Sequence, residues 1–83
     1  MELKVPKIWI ADDDEAIRMV LEEGLKSAGL EIVTFADGEA LIDALSDDKP
    51  DLIISDIKMP GMHGYDLLKH IKNNYDKLPV IIM

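Results

Sequence analysis

The sequence contains no cysteine among its 83 residues, and this absence excludes several kinds of site at once. Disulfide bridges, zinc–thiolate centres and thiol nucleophiles all need cysteine side chains. A reducing compartment is the simplest setting for such a chain. A metal ion bound by this protein would have to be held by oxygen ligands.

Basic residues and long apolar runs are also scarce. Nine Lys and Arg residues stand against seventeen Asp and Glu, and the formal net charge of -8 would repel nucleic-acid backbones and anionic lipids. No stretch approaches the roughly 20 apolar residues that cross a bilayer. The amino-terminal apolar run is too short for a signal peptide and is followed at once by aspartates. We therefore expect a cytoplasmic protein that contacts neither nucleic acid nor membrane directly.

Short apolar runs alternate with segments of helical periodicity along the chain. The first run, Ile8–Ala11, predicts a buried strand. From Glu15 onward, apolar residues recur at three- and four-residue spacing until Gly29, which is a suitable residue for a helix carboxyl terminus. The apolar face of this predicted helix consists of Ile17, Val20, Leu21, Leu25 and Ala28.

The same alternation continues to the end of the sequence. Glu31–Phe35 predicts a second strand near a sheet edge, and Asp37 can cap the helix that follows. Leu52–Ser55 is apolar on both of its faces, as expected for a central strand of a parallel sheet. After a third helix, Val80–Met83 predicts a fourth strand. The apolar faces of the second and third helices would consist of Ala40, Leu41, Ala44, Leu45, Leu67, Leu68 and Ile71.

Three consecutive strand–helix–strand units predict an α/β domain, in which helices cover both faces of a parallel sheet. Ligands bind to such sheets beyond the carboxyl ends of the strands. Two strand ends carry acids here, because Asp12, Asp13 and Asp14 follow the first strand and Asp56 follows the third. If these two strands are neighbours, the fold itself gathers the carboxylates.

Carboxylates gathered at one partly buried place repel one another, which either raises the pKa of one member or requires a cation. Mg²⁺ suits such a place because it takes oxygen ligands, keeps several waters and uses one or two carboxylates together with a phosphate oxygen. With the ion bound, one carboxylate could attack a phosphoryl group and become an aspartyl phosphate. Asp56 is the best nucleophile candidate because it stands alone at the end of a central strand.

Simpler interpretations remain open for these acids. In one interpretation Asp14 serves only as the amino-terminal cap of the first helix, and Asp56 taken by itself is a turn residue. Three aspartates in succession exceed what capping needs, which favours a site role for at least Asp13. His63 and His70 lack the spacing of metal ligands and are expected to be solvated.

Three segments together resemble the receiver domain of two-component response regulators: Asp12-Asp13, Leu52–Asp56 and Lys58–Gly64. Within that family the sequence of these segments most resembles receivers of the nitrogen-regulation type, which belong to sigma-54 activators. The resemblance implies a flavodoxin-like, doubly wound parallel sheet with strand order 2-1-3-4, incomplete at four strands and three helices. It also implies a phosphorelay signalling module rather than an enzyme.

The resemblance implies a role for each site residue. Asp56 would be the phosphoacceptor for a histidine kinase and would bind Mg²⁺ directly together with Asp13. Asp12 would act on the ion mainly through water, and the backbone carbonyl of Lys58 would complete the metal ligands. The phosphorylated domain would then control a downstream transcriptional effector.

Residues 1–83 correspond to the amino-terminal part of the family domain, which continues through another helix, a fifth strand and a final helix. Two residues that contact the phosphoryl group in the family, a threonine or serine after strand four and a lysine after strand five, lie beyond Met83. We expect residues 1–83 by themselves to be impaired in phosphorylation and in switching. We also expect a homodimer that covers the exposed edge of the fourth strand.

Two other functions are alternatives to a receiver domain. Asp12 and Asp14 have the Asp-x-Asp spacing of Mg²⁺-dependent phosphohydrolases of the dehalogenase-like class. That class needs further motifs and a cap that 83 residues cannot house. The third reading is a structural fragment that binds a partner through its open sheet edge.

Overall fold

A computed structural model describes residues 5–56 and 64–83, the side chains of residues 64 and 65 excepted. Strands and helices alternate through these residues as predicted. They are β1 (Lys7–Ala11), α1 (Glu15–Ser27), β2 (Glu31–Phe35), α2 (Gly38–Leu45), β3 (Leu52–Ser55), α3 (Gly64–Asn74) and β4 (Val80–Ile82). The fourth strand ends one residue earlier than expected, although the Met83 N–H still donates to the Ser55 carbonyl at 2.9 Å.

The four strands form one parallel sheet in the order β2-β1-β3-β4. The register of β1 places Ala11 beside Phe35 on one side and beside Ser55 on the other. The predicted order 2-1-3-4 is therefore confirmed, with β2 at an edge and β1 and β3 in the centre. Since β1 and β3 are neighbours, the residues that follow them meet at one edge of the sheet.

Helices α2 and α3 cover one face of the sheet. Side chains from both helices, from the two central strands and from the segment before β4 form this core, which consists of Trp9, Ala11, Leu41, Leu45, Ile53, Leu67, Ile71 and Leu78. The Trp9 ring packs against Phe35 with 5.2 Å between ring centroids. Each large apolar side chain buried in this way contributes roughly 1.5–3 kcal/mol to folding. Leu41, Leu45, Leu67 and Ile71 of the predicted faces thus lie against the sheet, whereas the prediction is wrong for Ala40, which is exposed.

Helix α1 lies on the other face, mainly over β2. Leu21 and Leu25 pack against a second buried cluster, which consists of Ile8, Ile10 and Ile32. The predicted burial of this apolar face is wrong for its outer part, because Ile17 is 42% exposed and Val20 is 69% exposed. A helix placed over an edge strand buries only those apolar residues that reach the sheet.

The termini of the first two helices follow local sequence signals. The Asp14 carboxylate caps α1 by accepting the N–H of Ala16 at 2.9 Å, and Asp37 caps α2 in the same way. At its carboxyl end, α1 is closed by Gly29, whose φ of 86° lies in the left-handed region that favours glycine. The Leu30 N–H then bonds to the Leu25 carbonyl, which completes a Schellman turn.

Candidate acidic metal site at the carboxyl edge of the sheet

Asp12, Asp13 and Asp56 meet just beyond the carboxyl ends of β1 and β3. One carboxylate oxygen from each residue lies within 4.8 Å of the corresponding oxygens of the other two. Asp12 is buried, Asp56 is half-buried and Asp13 is exposed. The predicted fourth ligand, the carbonyl of Lys58, lies outside the described residues.

Backbone hydrogen bonds place two of these acids. The Asp12 N–H donates to the Phe35 carbonyl at 3.1 Å, and the Asp56 N–H donates to the Ala11 carbonyl at 2.9 Å. The ladder of the sheet thus continues one residue beyond β1 and β3. Since adjacent strands lie about 4.8 Å apart, acids at the ends of two neighbouring strands are brought close together.

The buried Asp12 carboxyl group has a perturbed pKa. Its side chain is 2% exposed, and burial raises its pKa above the ordinary value. The negative charges of Asp56, Asp13 and Asp14 raise this pKa further, whereas the Asp14 N–H, which donates to Asp12 Oδ1 at 2.9 Å, lowers it in part. The cluster therefore carries repulsion that a bound cation would relieve.

The donor set fits a small, hard divalent cation. Three carboxylate oxygens are available, and the exposure of Asp13 leaves one side open to solvent. Mg²⁺ has six oxygen ligands, several of which are usually waters, and it accepts a phosphoryl oxygen among them. Within residues 5–56 and 64–83 the cluster supplies three carboxylate ligands, whereas Ca²⁺ takes six to eight oxygen ligands.

Asp14 lies beside the cluster but has a different role. Its Oδ1 accepts the N–H groups of Ala16 and Ile17, which confirms the capping interpretation. The group of acids that could hold a metal contains Asp12, Asp13 and Asp56, without Asp14. The two acids of the Asp-x-Asp pair considered for a phosphohydrolase therefore differ in role: Asp12 belongs to the acidic cluster, and Asp14 caps α1.

One contact of the site was not predicted from the sequence. The guanidinium of Arg18 donates from Nη1 to the backbone carbonyl of Asp12 at 2.6 Å. The only available signal was a cation near the amino terminus of a helix, where the helix dipole disfavours positive charge. A second contact lies behind Asp56, whose carbonyl accepts the buried Ser55 hydroxyl at 3.0 Å.

Comparison with known proteins identifies the class. The sequence profile of the response regulator receiver domain matches residues 8–83. The chain belongs to this family. Receiver domains are phosphoacceptor signalling modules of two-component systems and not enzymes, which argues against the phosphohydrolase alternative.

Among curated proteins, the chain is similar to the DNA-binding transcriptional regulator NtrC. It is 55% identical over 75 residues to NtrC of Klebsiella pneumoniae and 51% identical over 76 residues to NtrC of Escherichia coli (strain K12). These matches cover 90% and 92% of this chain but only 16% of either relative. The chain is thus an NtrC-like receiver that spans about one sixth of the length of these relatives.

Solved structures show the same fold. The chemotaxis response regulator CheY4 of Vibrio cholerae has a TM-score of 0.91 at 31% identity, over 95% of this chain and 68% of that one. The response regulator TrrA of Thermotoga maritima, solved in complex with Mg²⁺-BeF, has a TM-score of 0.90 at 32% identity, over 94% and 68%. A structure described as a transiently phosphorylated switch in bacterial signal transduction is 48% identical, with a TM-score of 0.81.

Membership in this family carries general properties. Receiver domains take phosphoryl groups from histidine kinases and bind Mg²⁺ at an acidic pocket, and the cluster described above is such a pocket in composition. Within residues 5–56 and 64–83, no helix is both long and apolar enough to span a membrane.

Proposed function

We propose that Asp56 is the phosphate-accepting residue of this receiver and that a histidine kinase is its phosphodonor. The Mg²⁺ ion would be held by Asp12, Asp13, Asp56 and the backbone carbonyl of Lys58, with Asp12 acting mainly through water. The observation that carries the proposal is the convergence of three carboxylates within 4.8 Å at the ends of β1 and β3. Family membership supplies the reaction that such a cluster serves.

Asp56 differs from the other two acids in ways that suit a nucleophile. It follows a central strand, its N–H is bonded to the Ala11 carbonyl, and its own carbonyl accepts the Ser55 hydroxyl. It is half-buried, whereas Asp12 is buried and already accepts the Asp14 N–H. A carboxylate that is held firmly but partly exposed can meet a phosphodonor in a fixed orientation.

The proposed step transfers one phosphoryl group. A carboxylate oxygen of Asp56 bonds to phosphorus while the bond from phosphorus to the kinase histidine nitrogen breaks, and that nitrogen keeps the electron pair. A bound Mg²⁺ supplies charge neutralisation for the attacking carboxylate and the phosphoryl oxygens. The role of Asp12 and Asp13 is to hold the ion beside Asp56.

The direct test combines metal titration with mass spectrometry. We expect Mg²⁺ binding by calorimetry, and slow labelling by acetyl phosphate that adds one base-labile phosphoryl group to the peptide containing Asp56. Asp56→Asn should abolish the label, whereas Asp43→Asn, which removes an exposed carboxylate from α2, should not. Equal labelling of the Asp56→Asn protein would contradict the assignment.

We also propose that residues 1–83 form the amino-terminal part of a receiver domain, which is supported by the 68% of each solved receiver that the chain covers. The hydroxyl and lysine that the family uses lie beyond these residues. The 83-residue chain should therefore be phosphorylated much more slowly than an NtrC receiver under the same conditions. Equal rates would contradict this expectation.

Two further partners belong to the proposal. Ile81 on the edge strand β4 is 50% exposed, and a second copy paired along that edge would cover it. A light-scattering mass equal to the monomer at working concentration would refute this homodimer.

Following the NtrC relatives, we propose control of a cytoplasmic transcriptional effector, while the net charge of -8 argues against direct DNA contact by this segment.

A further inference from the structure

We infer that Arg18 is a positioning residue for the metal ligand Asp13, and that it acts through the peptide unit joining Asp12 to Asp13. The inference rests on the proposed metal site and adds a residue to it. Its starting point is the hydrogen bond from Arg18 Nη1 to the Asp12 carbonyl oxygen, 2.6 Å long and partly buried. Such charge-assisted bonds are stronger than neutral ones.

The backbone decides where the Asp13 carboxylate lies. Across residues 5–56 and 64–83 no hydrogen bond is made by its exposed carboxylate. The position of that carboxylate therefore follows from the preceding peptide plane, which contains both the Asp12 carbonyl and the Asp13 nitrogen. By holding the carbonyl, Arg18 fixes the direction from which the Asp13 side chain starts.

The other polar groups of Asp12 are already engaged. Its N–H is bonded to the Phe35 carbonyl, and its carboxylate accepts the Asp14 N–H. Among the described residues, the contact with Arg18 is thus the third of three bonds that fix Asp12, and it is made to the carbonyl of the peptide unit that leads to Asp13. Without it, the turn that the Asp14 N–H closes on Asp12 Oδ1 would hold this peptide less tightly, so that its plane could tilt while β1 stayed paired.

Arg18 has no evident task in stabilising its own helix. It lies in the amino-terminal part of α1, where the helix dipole disfavours cations. In the described part of the chain it makes no salt bridge with a carboxylate, while Asp14 provides the cap. Within the described residues, its side chain donates instead to the carbonyl of Asp12.

Two interpretations of this arginine predict opposite results. If the guanidinium acted only through its charge, it would repel an incoming cation, and its removal would tighten Mg²⁺ binding. If it positions the peptide, its removal loosens the ligand geometry and weakens binding in spite of the lost repulsion. The sign of the change therefore decides between them.

The experiment titrates Mg²⁺ into the chain by calorimetry, with melting temperatures recorded in EDTA. Arg18→Met removes the charge and the donors but keeps an unbranched side chain. We expect its Kd for Mg²⁺ to rise about tenfold, the lower end of the effect of losing a residue that orients a metal ligand. Arg18→Lys should recover part of the affinity. Lys26→Met, which removes an exposed cation from the last turn of the same helix, should leave Kd unchanged.

Unchanged or tighter binding by the Arg18→Met protein would overturn the inference and leave the metal site intact. If that variant fails to fold, Arg18→Gln takes its place, and the same comparison of Kd values supports or overturns the inference. Failure of the unaltered chain to bind Mg²⁺ would overturn the metal site itself, and the role of Arg18 with it.

Discussion

Replacing the buried Asp12 by asparagine should stabilise the metal-free chain. The substitution keeps an oxygen that can accept the Asp14 N–H but removes a charge that is 2% exposed and lies within 4.8 Å of two other carboxylates. The ion-binding acids would thus reduce stability whenever no ion is bound. Such a cost is expected if the cluster serves a cation, as we propose.

The magnitude follows from the geometry. Two like charges about 4 Å apart repel by about 1 kcal/mol in water and about 4 kcal/mol at the effective dielectric of a protein surface. Asp13 is exposed, so the lower figure applies to it, whereas half-buried Asp56 lies between the two. The new amide group needs a partner, which costs about 1 kcal/mol. A net gain of roughly 1–4 kcal/mol in the free energy of unfolding remains, which corresponds to a melting temperature higher by at least about 4 °C.

The dependence on pH has a definite sign. The folded-state pKa of Asp12 lies above the ordinary value of 3.8, because burial and the neighbouring acids outweigh the hydrogen bond from the Asp14 N–H. This group therefore contributes stability that is fully present below pH 3.8 and is lost as the pH rises through the higher folded-state pKa. Asp12→Asn should remove that part of the pH dependence.

The assay is thermal unfolding in EDTA, followed by circular dichroism and by the fluorescence of Trp9, the single tryptophan of the chain. A saturating Mg²⁺ concentration of 100 times Kd should stabilise the unaltered chain by about 2.7 kcal/mol and the Asp12→Asn protein by much less. An Asp12→Asn protein that melts at or below the unaltered chain in EDTA would refute this account of repulsion. Equal stabilisation of both proteins by Mg²⁺ would remove Asp12 from the ion site.

Four other substitutions test separate parts of the structure. Asp14→Ala should lower the free energy of unfolding by about 1 kcal/mol, because α1 loses its cap, while calorimetry shows a nearly unchanged Mg²⁺ affinity. Ile53→Ala, at a fully buried position, should cost about 2–5 kcal/mol in urea unfolding, whereas Val20→Ala, at a side chain 69% exposed, should stay within about 0.5 kcal/mol. The hydrogen bond to Asp48, first among several causes, raises the pKa of Lys7 above 10.5. The resulting stability is present below pH 10.5 and is lost as the pH rises through the higher folded-state value, so that Asp48→Asn should flatten this alkaline decline in urea midpoints.

The order of the elements and the acidic cluster were predictable because both follow from short-range patterns. An apolar run such as Leu52–Ser55, which lacks a polar face, has few stable positions other than the centre of a parallel sheet. Once the two central strands are neighbours, the acids that follow them must meet. Asp12, Asp13 and Asp56 could therefore be brought together by topology alone, before any side-chain geometry was known.

The parts that were missed depend on tertiary arrangement. Periodicity shows which side of α1 is apolar, but it does not show how far that side reaches over the sheet, and Ile17 and Val20 stay exposed. The bond from Arg18 ends on a backbone carbonyl, which every residue possesses, so that no sequence pattern marks it. The predicted roles of Lys58 and His63 fall outside the described residues.

The strand pairing continues to Asp12 and Asp56, so that the register of the β-sheet sets the distance between these two acids of the proposed ion site. Packing changes that leave the pairing intact, even within the core, should leave the spacing of these two acids unaltered. A slip of β3 by one residue would instead turn every side chain of the strand to the opposite face and carry Asp56 away from Asp12. The proposed ion site can therefore persist through many substitutions in the core. It is most sensitive to a change in the alignment of β1 with β3.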